Sequence, residues 1–328
     1  MKTALIMGIT GGFGGSVAQE LVRQGWSIRA LMRDPARLPA RFSGTEVIQG
    51  DATNPDAVRE AAQGVDLIVY GVNPPGYNWK GRVLPMLEYT VQVAEELGLT
   101  VLFPGNVYVF DPADGPDFDE QAPLRPLTSK GALRKAMERR LQQASERGAQ
   151  VIVLRMGDFI GEFAPSAWLG ALVKRSGNGF RLSCPGPARL GHTWAYLPDA
   201  ARTAVELGDK KDLLPAWNVF HFRGYRMSLN ELADTLHAVS GQAVRMKSFP
   251  WWALRLMAPF STLFRGLLEM RYLWQQEINL QGNALEKLLD GEVPYTPLGK
   301  VLREAGYFAQ LKSTPTASGA IGKRAEQG

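Results

Sequence analysis

Two rhythms of apolar and polar positions run along the first half of this chain. Short, continuously apolar runs (TALIMGI, SIRALMR, EVIQGD, DLIVYGV, TVLFPGNVYVF and QVIVLRMGDF) alternate with longer stretches of helical periodicity. Runs that are apolar at every position predict strands buried on both faces, as in a parallel sheet covered by helices. Between them, residues 14–24 predict a helix with Val17, Leu21 and Val22 on one face, closed by Gly25. Further helices are expected over NPDAVREAAQ, with Asn54 as its cap, over 83–97 and over 129–146. The alternation predicts βαβ units, hence a Rossmann-type doubly wound α/β domain over residues 1–160.

Beyond residue 160 the rhythm loosens. Glycine and proline interrupt 161–191, read as loops around a short helix near Trp168. TWAYLPDAARTAVEL follows, with Asp199 placed to cap a helix, then a strand WNVFHF; Ser228 and Glu231 form a capping-box pattern. Residues 161–311 are therefore read as a smaller, mostly helical substrate lobe, interleaved with the first domain because a strand and a helix return to it from about 192–222. The small polar residues of 312–328 predict a disordered tail. SFPWWALRLMAPFSTLF carries one charge, Arg255, over 17 residues. With two prolines it is too short to span a bilayer of roughly 30 Å. It reads as a packed or substrate-covering helix pair, with interfacial membrane contact or a homodimer surface as alternatives for Trp251–Leu263.

Composition narrows the function classes. Apolar residues at 45% and charged ones at 21% exclude wholesale disorder. The single cysteine, Cys184, makes no internal disulfide, and with three histidines it offers no metal set. The opening MKTALIMGIT is followed by glycines and no small-residue cleavage site, so no signal peptide is read and a cytoplasmic protein is expected. The net charge of +5 is read as scattered, apart from Arg134, Lys135, Arg139 and Arg140 on one helix, taken as a solvated face; no nucleic-acid partner is expected.

The excess of glycine, 35 residues, has a focus in MGITGGFGGSVAQEL. Gly8, Gly11 and Gly14 close a buried strand and open a helix, the context in which such spacing binds a dinucleotide. Backbone amides approach the pyrophosphate there and the helix N-terminus adds partial positive charge. The expected cofactor contacts are Gly8, Thr10, Gly11, Gly12, Phe13 and Gly14, with Gly71 and Asn73 on the neighbouring strand end. An NAD-selective site carries a carboxylate at the end of the second strand. Here Met32 stands in that place and Arg33 follows, with Arg37 nearby. A guanidinium suits a 2′-phosphate, which predicts NADP over NAD. An ordinary surface arginine paired with Asp34 is the alternative. Asp51 and Ala52 are expected at the adenine edge.

With these segments in view, the sequence resembles the extended or atypical short-chain dehydrogenase/reductase superfamily, the NAD(P)-dependent epimerase/dehydratase group. The resemblance runs through GITGGFG, GDA (50–52), GVNPP (71–75), NVYVF (106–110), LRMGDFIG (154–161), HTWAYLPDAAR (192–202) and YTPLGKVLREAG (295–306). It implies a catalytic tyrosine, a lysine four residues later and an upstream hydroxyl. Aligning P-x-x-x-Y-G-x-x-K-x-x-x-E on PLTSKGALRKAME matches Pro126, Gly131 and Glu138, but puts Lys130 at the tyrosine position and Arg134 at the lysine position. Pro104 falls where the serine belongs. Lys130 is then the candidate proton shuttle, or else an exposed lysine at a helix start; Arg134 is the candidate ribose clamp, and Tyr108 the one phenol nearby. Asn73, Asn106 and Asp158 are further neighbours of the expected nicotinamide. His192 precedes a strand expected to face the cleft and is a candidate substrate contact. His221 and His237 read as packed or surface residues, and Trp194, Tyr196, Trp251 and Trp252 as packing or pocket aromatics.

Two functions follow. One is an NADP-dependent oxidoreductase or epimerase/dehydratase-like enzyme acting on a small organic substrate with a replaced triad. The other is a catalytically inactive NAD(P)-sensing regulator, as in the NmrA-like proteins that the sequence also resembles.

Overall fold

Alternation along each strand explains how the molecule is layered. The computed structural model describes residues 1–74, 76, 78–161 and 168–304. Its first half runs β1 (Thr3–Met7), α1 (Gly12–Arg23), β2 (Ser27–Met32), β3 (Glu46–Gln49), α2 (Pro55–Ala62), β4 (Leu67–Tyr70), α3 (Val83–Leu97) and β5 (Thr100–Asn106). A short β6 (Asp117–Phe118), α4 (Ser129–Ser145) and β7 (Gln150–Met156) follow. With β12 (Trp217–His221) these strands, β6 excepted, make one seven-stranded parallel sheet in the order β12-β7-β5-β4-β1-β2-β3. Ala4 and Ile6 point to one face and Leu5 and Met7 to the other, and Leu67 and Val69 oppose Ile68 and Tyr70 in the same way. Each face therefore has its own core: α1 and α6 (Leu197–Asp209) seal the first, and α2, α3 and α4 the second.

Local signals hold where the chain supplies them. Asn54 accepts from the amides of Asp56 and Ala57, and Ser228 and Glu231 close a full capping box on α7 (Leu229–Ser240). Two expectations are corrected. Val22 is half exposed instead of packed, because it lies outside the stripe that Val17 and Leu21 bury. Asp199 does not cap α6; it sits buried inside the first turn and accepts from the Thr296 amide and hydroxyl, tying the chain's late segment to the helix.

The run expected as one strand from 150 to 159 divides at Gly157. A Cβ there would stand 2.0 Å from the Thr193 carbonyl, so the chain leaves the main sheet and β8 (Asp158–Ile160) pairs with β11 (Gly191–Tyr196) instead. The stretch expected as loops is more ordered. After α5 (Trp168–Leu172), β9 (Val173–Ser176) and β10 (Gly179–Cys184) form a hairpin, and β14 (Val244–Ser248) completes their three-stranded sheet. β13 (Tyr225–Ser228) pairs with β11, and β15 (Asn279–Leu280) with β6. The apolar stretch forms a helix pair, α8 (Trp251–Met257) and α9 (Thr262–Glu269). No helix among the described residues is long and apolar enough to cross a membrane. Residues 312–328 lie outside the described residues, as do Pro75 and 305–306 of the quoted segments.

Candidate functional site

The strand order turns between β1 and β4, and the glycines gather at the carboxyl ends of those two strands. Gly8 has φ +90°, and a Cβ there would lie 2.5 Å from the Gly71 carbonyl oxygen. At Gly14 it would lie 2.5 Å from the carbonyl of Gly8, and at Gly71 it would press on Gly14. Three backbone segments thus meet at a spacing that only glycine allows. The Gly11 amide donates to the Gly8 carbonyl at 2.9 Å, closing the turn, and the Gly71 amide donates to the Met7 carbonyl. Gly11 stands at the N-cap of α1 with no side-chain cap, and no acidic residue occupies the first turn. Free amides and the positive end of the helix dipole lie here with no side chain or acid to occupy them, the chemistry that can accept a pyrophosphate. Gly12 and Phe13 begin the helix, with Phe13 buried against its core; Thr10 is exposed beside them and Asn73 is exposed beyond β4.

At the end of β2 the expected acid position holds buried Met32, and Arg33 is exposed. Arg33 pairs with Asp51 (3.7 Å), not with Asp34, which caps the following turn. Asp51 also accepts from the Thr53 amide and hydroxyl, and Ala52 is buried beside it. The structure thus brings Arg33, Asp51 and Ala52 together on one rim; Arg37 is exposed. It adds Arg41, whose guanidinium lies 3.7 Å from a Cβ built on Gly15 in the first turn of α1. That proximity depends on the loop after β2 and has no signature in the sequence.

The start of α4 is built by residues far apart. Thr128 caps it through the Gly131 amide, and Glu269, at the end of α9, accepts from the Ser129 hydroxyl at 2.7 Å and the Lys130 amide at 2.9 Å. The same carboxylate forms an ion pair with Lys130 Nζ. Lys130 is buried, which corrects the exposed-lysine alternative, and its ammonium is held by a carboxylate. The hydrogen bonds from Lys130 and Ser129 hold Glu269 below the usual carboxylate range against its burial. Arg134 is half-buried, its guanidinium 5.3 Å from the ring centroids of both Trp79 and Phe103, and its Nε has no hydrogen-bond partner among the described residues. Burial pushes its pKa down, opposed by Tyr108, Glu138 and Tyr70. The basic helix face is accordingly not uniformly solvated: Arg134 turns inward and Arg140 bridges to Glu88 and Glu95 of α3, each at 2.7 Å. Tyr108 is buried in the turn after β5, its ring stacked on Trp79, its amide bonded to Asn106 Oδ1 at 3.1 Å.

Two of the three residues that matched the family pattern have clear scaffold roles. A Cβ on Gly131 would stand 2.2 Å from the Tyr108 carbonyl and 2.7 Å from Pro126, and Glu138 forms a buried pair with Arg155 at 2.5 Å. Arg155 also reaches His221 Nε2 at 3.1 Å. His221 is buried, and its pKa falls to about 4 through burial first and the Arg155 charge second.

Across from this station, His192 Nε2 lies 2.7 Å from Asp158 Oδ2 while Nδ1 faces the Leu273 carbonyl at 3.3 Å. Both ring nitrogens therefore face oxygen atoms, one of a carboxylate and one of a backbone carbonyl. The ring stacks flat on Trp274 at 4.0 Å and edge-on to Trp194. Val107, His192, Thr193, Leu273 and Ile278 line a small cavity here, next to the carboxyl end of β5. Trp194 and Trp251 are core residues, Tyr196 is half-buried, and Trp252 faces outward. Glu269, Trp274 and Arg41 were not legible in the sequence, since no local motif surrounds them.

Residues 8–158 match the family model described as NAD(P)H-binding. No curated protein sequence matches the chain. Among solved structures, a candidate epimerase from Burkholderia cenocepacia superposes with a TM-score of 0.76 at 19% identity, over 95% of this chain and 99% of that one. MoeE5, in complex with UDP-glucose and NAD, gives 0.73 at 18% over 95% and 100%. The UDP-glucose 4-epimerase of Thermus thermophilus, complexed with NAD, gives 0.70 at 14% over 95% and 99%. At these identities the likeness is one of fold. The chain therefore shares the Rossmann fold of these epimerase structures, with the NAD(P)H-binding match falling on its first half.

Proposed function

We propose that the protein is an NADP-dependent oxidoreductase or epimerase/dehydratase-like enzyme of a small organic substrate, working without the usual serine, tyrosine and lysine. The observation that carries this reading is the glycine cradle at the strand-order switch, flanked by Arg33, which follows Met32 at the position where an NAD-selective site has an acid. Bound NADP would supply or accept a hydride. Gly8, Gly11, Gly12, Gly14 and Gly71 admit the pyrophosphate, with Thr10, Phe13 and Asn73 around it. Arg33 takes the 2′-phosphate in exchange for Asp51, and Asp51 and Ala52 border the adenine. Arg134, with an unsatisfied Nε between two aromatic faces, offers donors to ribose hydroxyls. The proton-handling candidates are Lys130, whose ammonium is already engaged by Glu269, Tyr108, and the Asp158–His192 pair beside the cavity.

Calorimetry tests the cofactor: NADP+ should bind at least about tenfold tighter than NAD+, and Arg33→Asp should abolish that preference. No heat with either nucleotide would overturn the reading. For turnover, NADPH oxidation is followed across ketones, aldehydes and nucleotide sugars, the last because MoeE5 and the Thermus epimerase were solved with, or are named for, UDP-sugars. Lys130→Met with unchanged turnover removes Lys130 from the chemistry, and His192→Phe decides the Asp158–His192 pair in the same way.

The Lys130–Glu269 contact favours a second reading, a cofactor-sensing protein without turnover, because it places an ion pair where the family resemblance puts the catalytic phenol. Unequal affinities for NADP+ and NADPH with no oxidation across the panel would support it.

A further inference from the structure

The basic residues that look scattered along the sequence are gathered by the fold. Segments 168–191 and 241–268 contain Lys174, Arg175, Arg181, Arg189, Arg245, Lys247, Arg255 and Arg265 and no aspartate or glutamate. They supply a charge of +8 to a chain whose total is +5, so the rest of the molecule is net negative. Both segments meet in the sheet β9-β10-β14. There Arg181 is in register with Lys174 on one side and Arg245 on the other, and paired residues share a face. Phe180 and Leu182 are buried, so the face of Arg181 is the outer one, and Lys174, Arg245 and Lys247 are likewise exposed. Among the described residues none of these four has a carboxylate within ion-pair distance. Three like charges abreast repel one another, so this row does not stabilise the sheet.

The helix pair α8–α9 leaves from the end of β14 and is fastened to the same sheet. The Phe249 amide donates to the Cys184 carbonyl, and Trp251 Nε1 donates to the Pro185 carbonyl at 2.7 Å. Trp251 is buried by this anchoring, but Trp252 is 70% exposed, Leu256 66% and Phe260 85%, with Met257 and Leu263 also outward. Arg255 is exposed among them. Aromatic and long aliphatic side chains exposed over residues 252–263, with Arg255 the one charge among them, are costly to leave in water.

We infer that this face, the outer row of β9-β10-β14 with the α8–α9 helix pair, docks on an anionic lipid surface. The cations are drawn to acidic headgroups while Trp252, Leu256 and Phe260 enter the interface, the arrangement of a protein that lies on a bilayer without crossing it. Charge distinguishes this occupant from a second copy of the chain: the same cationic row would face itself across a two-fold axis. Aliphatic side chains such as Leu256 and Met257 distinguish it from nucleic acid, which rewards stacking and phosphate contacts.

The test is co-sedimentation of the full chain with phosphatidylcholine vesicles, with and without about 30% phosphatidylglycerol. Binding should be at least about tenfold stronger to the anionic vesicles and fall in about 0.5 M NaCl. Arg181→Glu with Arg245→Glu should remove the anionic preference. Phe260→Glu should lower binding about tenfold with the circular-dichroism spectrum unchanged. Trp252→Gln is a second probe, and its indole fluorescence should shift to the blue in wild type on vesicle addition. Three outcomes would overturn the inference: no anionic preference, unaltered binding by Phe260→Glu, or a concentration-dependent dimer abolished by Phe260→Glu in a protein that ignores vesicles.

Discussion

The glycine cradle and the start of α4 are both at the carboxyl edge of one sheet, yet they are assembled in opposite ways. The cradle is made of backbone: Gly8, Gly11 and Gly14 are consecutive turns of one motif, and Gly71 is one strand away. The α4 station is made of side chains whose partners lie far along the chain, with Glu269 meeting Lys130 across 139 residues. A site built from close backbone approach tolerates no substitution but announces itself in composition. A site built from long-range side-chain contacts, such as that of Lys130 with Glu269, can take other side chains while the surrounding packing stays in place.

The largest effect should come from the backbone. Gly8→Ala places a Cβ 2.5 Å from a carbonyl oxygen at a φ of +90° and should weaken nucleotide binding at least about 100-fold by calorimetry. Binding within tenfold of wild type would show that the cradle adapts and is not rigid. Next, Glu269→Gln leaves the Lys130 ammonium buried without its carboxylate and should cost about 3 kcal/mol in urea melts. The Lys130→Met, Glu269→Gln double variant should recover about half of that, because a methionine needs no counter-charge.

His221 comes third. Its folded pKa of about 4 lies below the ordinary 6.5, so the unfolded chain takes up the proton first as pH falls. Its contribution is complete above pH 6.5 and is lost between 6.5 and 4, at most about 3 kcal/mol in all. His221→Gln should flatten that part of the stability profile, measured by urea melts across the window; an unchanged slope would locate the acid sensitivity elsewhere. The smallest effect belongs to Asn54→Ala, which removes the cap of α2 and should cost about 1 kcal/mol without touching nucleotide affinity.

What the chain discloses follows the same division. The first five strands, the sixth as far as Gly157, the α2 cap and the capping box at Ser228 are local patterns, and each stands where its residues place it. Asp199 resembled a cap because it precedes an apolar helix, but a partner at Thr296 claims its carboxylate. The strands β9 and β10 were hidden because Gly177 and Gly179 read as loop, whereas Gly179 is needed where a Cβ would stand 2.3 Å from the Ala243 carbonyl. The pairing of Asp158 with His192, the stacking of His192 on Trp274 and the row of Lys174, Arg181 and Arg245 all join segments whose distance along the chain conceals them.

The outermost strand of the main sheet, β12, has a consequence for cutting the molecule. It is contributed by residues 217–221, beyond the segment that grips the nucleotide, and lies in register along β7. A fragment ending at residue 160 would leave β7 with a bare row of amides and carbonyls, and the first turn of α4 without the carboxylate that closes it. Such an excised half should self-associate or fail to fold, although every glycine of its loop is present.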